Sequence, residues 1–390
     1  MKILYAALVN EDNKPGYKIK VHSQCKAFEN IGHECYLLIL KENGLCLYRF
    51  KNKKPDTIKH YKIEGISKEI AKEQIACRKT FAEYIKKVID EIMPDMVYIR
   101  RIIPLNPWII STIKYIKRKG INIAYEYPTY PWKEELLLEK HYLIYLCDCF
   151  YYKRLIKMVD MVPYIGIYNG KNKKFIKIRN AVDTNCYRLK SHTNSKDTID
   201  FIAVAHVKLY HGYDRIIKGL HDYYQNENIK DKKDIRLHIV GTVEKSLNLE
   251  KIAEGYGLQE RVIFHGFKSG IELDELFDMA DIGVNGLAYF RVMEMKKSDL
   301  SSLKSREYMA RGLAFINCFK LDFQDDIEEK QDYIIDVEIS EEPVPISKII
   351  KQYDEISSKP QDIRNIAEKY LSWEIEMQKV IDFFEAGTKE

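Results

Sequence analysis

Apolar residues follow a strand, helix, strand rhythm from the start of the chain. Lys2 to Val9 carries an apolar run of strand length. A polar, turn-forming stretch follows from Asn10 to Gly16. Val21, Ala27, Phe28 and Ile31 then recur at helical spacing, and Gly32 ends that helix where glycine enters the left-handed region cheaply. Glu34 to Leu40 is the next apolar strand. Two strands joined by a helix predict a parallel pair with a right-handed crossover. The rhythm continues with a helix over 69–92 stopped by Pro94. A strand over 96–99, a helix over 108–118, a strand over 121–125 and an apolar helix over 136–158 follow.

The pattern restarts after a polar stretch at 191–198. Strands are predicted over 199–205, 235–240, 262–265, 282–284 and 314–317. Helices are predicted between them over 214–224, 247–256, 272–280 and 302–311, and a last helix over 363–384 follows the second sheet. Alternating strands and helices mean layered α/β architecture. The restart means two such domains, predicted as 1–185 with the closing segment 372–390, and 186–371.

Composition narrows the class. A chain of 390 residues that is 46% hydrophobic and 31% charged is neither disordered nor fibrous. No uninterrupted apolar stretch reaches membrane-spanning length, and the N-terminus lacks a signal-peptide pattern, so a cytoplasmic protein is expected. The eight cysteines form no Cys-x-x-Cys pair, so they read as reduced, mostly buried thiols and not as a zinc ribbon. Residues 1–190 hold 36 basic and 20 acidic residues, a net of +16, and the remainder holds 27 and 38, a net of −11. The basic half suggests an anionic partner, such as the inner membrane surface or a lipid diphosphate. No aromatic-basic motif points to nucleic acid. Lys153, Arg154 and Lys157 share one face of the 136–158 helix, where they suit an anionic bilayer.

Ligands of open parallel sheets sit at the carboxyl ends of strands, beside helix N-termini that favour phosphate. Here those positions are 10–16, 205–212, 241–245, 266–270 and the segment before Ser302. The run from Asp299 to Glu307 is the most suggestive. Ser301 and Ser302 are small and polar at a helix start, Lys304 and Arg306 add positive charge, and Asp299 and Glu307 can accept hydrogen bonds from sugar hydroxyls. Phosphate plus hydroxyls describes a nucleotide sugar. A serine cap with flanking charges also serves helices that bind nothing.

These residues resemble the retaining nucleotide-sugar glycosyltransferases of the large family 4 type, whose two facing Rossmann-like domains define the GT-B architecture. Gly32, His33, Glu34 and Cys35 resemble that family's Gly-His-Glu-Val. Asn180 to Asp183 resembles its Asn-Gly-Val-Asp at the domain linker. His238 to Gly241, Arg261 to Gly266, Ala280 to Ile282 and Glu307 to Gly312 match further segments in order. The resemblance implies that the second domain binds the donor and that a C-terminal helix crosses back to the first. Glu307 would bind the ribose, and Asp299 the donor sugar. The backbone amides of Ser301, Ser302 and Leu303 would face the diphosphate. Gly16 would sit in a loop letting the first domain approach the phosphates when the domains close. Gly241 and Gly266 would line the donor site.

The family's Gly-Arg-x-x-x-x-Lys-Gly reads Ala205 to Gly212 here, with His206 and His211 in place of the two phosphate-binding cations. Imidazole is a conditional cation that still donates a hydrogen bond when neutral. Lys208, Arg215 and Lys304 are expected to restore the charge. In the first domain, Arg100 and Arg101 suit an anionic acceptor or a carboxylate partner, and Glu126 an acceptor hydroxyl. The implied function is sugar transfer, without a metal or other cofactor, from a nucleoside diphosphate sugar to a glycan or lipid-linked saccharide of a capsule-type surface polysaccharide. Alternatives are a nucleotide-sugar epimerase and a non-catalytic partner protein of the same fold.

Overall fold

Ile3 to Ala7 are fully buried, which fixes Lys2–Asn10 (β1) as a central strand. The structure is a computed structural model, and it describes residues 1–12, 15–41, 44–63, 71–138, 140–191, 197–292 and 300–387. The chain divides into two units, Met1–Asn180 with Trp373–Glu390, and Ala181–Ser372.

In the first unit, β1 is followed by α1 (Pro15–Asn30), β2 (Glu34–Lys41), β3 (Gly44–Lys51) and β4 (Lys54–Lys62). Next come α2 (Ala71–Ile92), β5 (Met96–Arg100), α3 (Pro107–Arg118) and β6 (Asn122–Tyr130). They are followed by α4 (Trp132–Leu138), α5 (Tyr142–Met158), β7 (Val162–Gly166) and β8 (Phe175–Lys177). The strands form one sheet in the order β4-β3-β2-β1-β5-β6-β7-β8. It is parallel from β2 to β8, and β3 and β4 extend it antiparallel.

In the second unit, β9 (Thr198–Val204), α6 (Tyr213–Gln225), β10 (Asp234–Val240), α7 (Leu249–Gly255), β11 (Val262–Gly266) and α8 (Ile271–Met279) come first. Then follow β12 (Ile282–Val284), α9 (Leu303–Ala310), β13 (Ala314–Asn317), β14 (Ile334–Asp336), α10 (Ile346–Asp354) and α11 (Pro360–Tyr370). The sheet order is β11-β10-β9-β12-β13-β14, and every pair is parallel. The strands are mostly apolar, as strands buried in a parallel sheet are, and the buried exceptions Asp200 and His238 pair with each other at 3.0 Å.

Two predicted helices divide. The 136–158 pattern is α4 and α5. The chain turns between them with Lys140 in the left-handed region, and His141 N–H donates to Leu136 O at 2.8 Å. The 363–384 pattern is α11 and α12 (Trp373–Gly387). They part at Leu371, whose carbonyl accepts from Val182 N–H at 2.8 Å. Helix α12 belongs to the first unit, where it packs on α1 with Lys20 Nζ over the Trp373 ring, and its Trp373, Met377, Val380 and Ile381 are buried. All eight cysteines are free thiols, five of them buried. The start of the helix predicted over 69–92 and most of the polar stretch at 191–198 lie outside the described residues.

Candidate functional site

The second sheet runs outward from β9 to β10 and β11 on one side and, after the chain crosses over, to β12, β13 and β14 on the other. The switch point therefore lies between β9 and β12. Loops leaving neighbouring strands there diverge and open a crevice at their carboxyl ends. The segment after β9 carries His206, Lys208 and His211. The segment after β12 leads to the N-terminus of α9.

Backbone hydrogen bonds join these two segments. Leu287 N–H donates to His211 O at 2.9 Å, and Ala288 N–H to Tyr210 O at 3.0 Å. Gly212 makes the contact possible: its φ is +63°, and a Cβ there would lie 2.7 Å from that of Ala288. Ser302 caps α9. Its hydroxyl accepts from Ser305 N–H at 3.4 Å and donates to the Asn285 side chain at 2.9 Å. The amides of Leu303 and Lys304 are then first-turn donors for which the helix itself supplies no acceptor.

The β9 segment and α9 meet at one pair of side chains. Lys208 N–H donates to His211 Nδ1 at 2.9 Å, which places the ring proton of a neutral His211 on Nε2. That atom lies 3.0 Å from Lys304 Nζ. Burial and the adjacent Lys304 push the His211 pKa down to about 2. The ring is therefore neutral, and the expected second cation is absent at this position. Burial also pulls the Lys304 ammonium down to about 8. An imidazole N–H and an ammonium facing each other are two donors without an acceptor between them, an arrangement an anion completes.

Glu307 lies one turn further along α9. Its Oε1 accepts from Arg311 Nε at 3.1 Å, and Arg311 also binds Asp274 at 2.7 Å. Burial raises the Glu307 pKa against the pull of Arg311. His206 is exposed at the rim, with Nδ1 against the Thr242 hydroxyl. Ser301 and Lys208 are half-buried beside these groups. Asp299 lies outside the described residues.

Several expected site residues do other work. Arg215 supplies no phosphate cation. It is buried, and its guanidinium donates to the carbonyls of Glu342 (2.8 Å), Leu287 (2.6 Å) and Glu338 (3.1 Å). It stitches the loop ends together from beneath. Gly241 is a packing glycine: a Cβ there would lie 2.0 Å from Ala205 O, so only glycine lets the ends of β9 and β10 approach. Gly266 ends β11 at the sheet edge, two strands from the switch point. Gly16 is in the first turn of α1 and not in a loop, with open space where a Cβ would stand.

The first unit also corrects the acceptor residues. Glu126 is wholly buried under α1, with Arg100 Nη1 at 3.2 Å, Tyr5 OH at 3.0 Å and Lys20 Nζ at 3.6 Å. Burial pushes its carboxyl up, but Arg100 and Lys20 outweigh that and hold it below the usual carboxylate range. Arg101 pairs with buried Asp148 at 2.6 Å and lies over the rings of Tyr127 and Trp132. All three charges are neutralised internally, which is the carboxylate-partner alternative for the arginines. Sequence reasoning missed Thr242 and Asn285. Both follow strand ends, but nothing in the sequence singles them out.

Residues 188–289 match the family model described as Glycosyl transferases group 1. The match begins close to the start of the second unit and takes in β9 to β12. No curated protein matches the chain. Among solved structures, sucrose-phosphate synthase from Thermosynechococcus elongatus is 12% identical with a TM-score of 0.64, covering 99% of this chain and 100% of that one. A glycosyltransferase from Rickettsia africae is 12% identical with a TM-score of 0.62, covering 99% and 98%. The Anabaena protein HepE, in complex with UDP-glucose, is 12% identical with a TM-score of 0.60, and the match covers both chains fully. The chain thus has the GT-B fold of these glycosyltransferase structures, and residues 188–289 of its second unit match the group 1 glycosyltransferase model.

Proposed function

We propose that the protein transfers a sugar, with retention of anomeric configuration, from a nucleoside diphosphate sugar to a glycan or lipid-linked saccharide in surface polysaccharide synthesis. The observation that carries this reading is the pair of donors at the switch point, Lys304 Nζ and His211 Nε2, 3.0 Å apart beside the first amides of α9. A diphosphate oxygen satisfies both donors and the helix amides together. Glu307 Oε2 makes no hydrogen bond among the described residues and suits a ribose hydroxyl. The UDP-glucose bound to the Anabaena protein supports a uridine-linked donor, with a guanosine-linked donor as the alternative.

In the reaction the bond between the anomeric carbon and the phosphate oxygen breaks, and the acceptor hydroxyl oxygen bonds to the same carbon. The nucleoside diphosphate leaves with added charge. Lys304 and the α9 amides stabilise that charge, which lowers the barrier. These groups supply the charge without a divalent metal. Attack on the face the diphosphate leaves lets a phosphate oxygen take the acceptor proton, so no protein base is required. The free thiols suit the cytoplasm, with the acceptor presented at the inner membrane face.

The test is a thermal-shift screen against UDP, GDP, ADP and their sugars without metal, with Glu307→Ala and Lys304→Met alongside. A ligand that binds only the folded state raises the melting temperature. One nucleotide should give a shift that both variants lose. The loss of the second phosphate cation at His211 favours a non-catalytic partner protein as the second reading, and no shift with any nucleotide would establish it. Donor turnover without an acceptor would identify an epimerase.

A further inference from the structure

Helix α5 is built the wrong way round for a surface helix. At 100° per residue, Tyr142, Leu143, Leu146 and Phe150 fall on one face. That face is the one turned to solvent: their exposures are 57%, 80%, 61% and 77%. The opposite face buries Asp148 and Leu155. The same exposed face continues in its last turns with Lys153, Arg154 and Lys157, all exposed. The only acid in the helix, Asp148, is buried and paired with Arg101.

Beside it, α3 presents Ser111, Lys114 and Arg118 in one exposed stripe. The two helices enclose a groove of about 430 Å³ lined by these three residues and by Phe150, Tyr151 and Arg154. It therefore has cations on both walls and an aromatic edge. No helix among the described residues is long and apolar enough to cross a membrane.

We propose that the exposed face of α5, with the α3–α5 groove, docks the protein on an anionic lipid bilayer. Leu143, Leu146 and Phe150 enter the boundary between headgroups and acyl chains. Lys114, Arg118 and Arg154 bind lipid phosphates in the groove, and Lys153 and Lys157 reach the headgroup layer on flexible stems. Charge complementarity selects this occupant. A protein partner's interface core is depleted in lysine, whereas large apolar residues beside cations of one sign match the layers of an anionic membrane surface. The proposal does not depend on what the second unit binds.

The test is flotation of the full chain with vesicles of phosphatidylcholine alone and of phosphatidylcholine mixed with phosphatidylglycerol. Binding is expected only to the mixed vesicles, and it weakens with salt. The triple variant Lys114→Gln, Arg118→Gln, Arg154→Gln should partition roughly 100-fold more weakly, at about 1 kcal/mol per cation. The double variant Leu146→Ser, Phe150→Ser should lose at least about tenfold. Both sets are exposed, so unchanged thermal melts confirm folding. In Phe150→Trp, the added tryptophan emission should shift to the blue on the mixed vesicles. Equal binding to both vesicle types, binding indifferent to both variants, or no binding would overturn the proposal. So would light scattering that shows a dimer dispersed by Leu146→Ser, Phe150→Ser with no vesicle binding.

Discussion

Replacing Lys304 with methionine should stabilise the protein and abolish its hold on a nucleotide. The free side chain titrates at 10.5, and burial brings it to about 8 in the fold. The unfolded chain therefore binds the extra proton more tightly. The resulting cost is fully present below pH 8 and is relieved as pH rises from 8 to 10.5. It amounts to roughly 3 kcal/mol as an upper limit, since the ammonium keeps some contact with water. Methionine fills a similar volume without charge. The ammonium faces a donor at His211, so no hydrogen bond is lost there, and discounting for the remaining water contact leaves a net gain of roughly 2 kcal/mol. For a domain of this size that raises the melting temperature by about 4–8 °C at pH 7. The assay is a thermal melt of both proteins at pH 7 and pH 9.5, with and without the nucleotide the screen selects. The advantage of the variant should shrink at the higher pH, and its nucleotide shift should be absent at both. A variant that melts at or below the wild type at pH 7, or that keeps the full nucleotide shift, refutes the reasoning.

Other outcomes follow from the same structure. With Lys304 as the phosphate cation, kcat/KM for the donor should fall about tenfold per pH unit above 8, and Lys304→Arg should flatten that limb in a pH–rate profile. Gly241→Ala should cost at least about 3 kcal/mol in urea unfolding, because its methyl meets the Ala205 carbonyl. Asp148→Ala strands buried Arg101 and should cost about 3–5 kcal/mol by the same measurement. Glu11 is held at about 2, because its hydrogen bonds to His22 and Tyr48 outweigh the opposing effect of burial. Its contribution is present above pH 4.5 and is lost as pH falls toward 2, so Glu11→Gln should flatten acid unfolding across that window.

The parallel cores were legible because buried strands must be apolar and the helices between them are periodic. The edge hairpin was not. β4 exposes every residue except Tyr61, so it carries no apolar alternation to read. Helix α5 blurred into α4 because it is apolar on nearly every side, and the turn at Lys140 has no glycine or proline to mark it. In the site, the strand-end positions of His206, His211 and Ser302 follow from topology alone. The pairing of His211 with Lys304, 93 positions away, does not. Arg215 shows the converse error: a cation beside a ligand loop reads as a ligand group, while its real partners are carbonyls that every residue possesses.

The discontinuity of the first unit has a consequence for biosynthesis. A ribosome makes residues 1–180 long before it makes Trp373, yet α1 is packed against α12 in the finished fold. The second unit is one continuous segment, Ala181–Ser372. The portion synthesised first is thus finished last. Its unfinished α1 surface is open to chaperones, and to other nascent chains, for as long as the second unit takes to emerge.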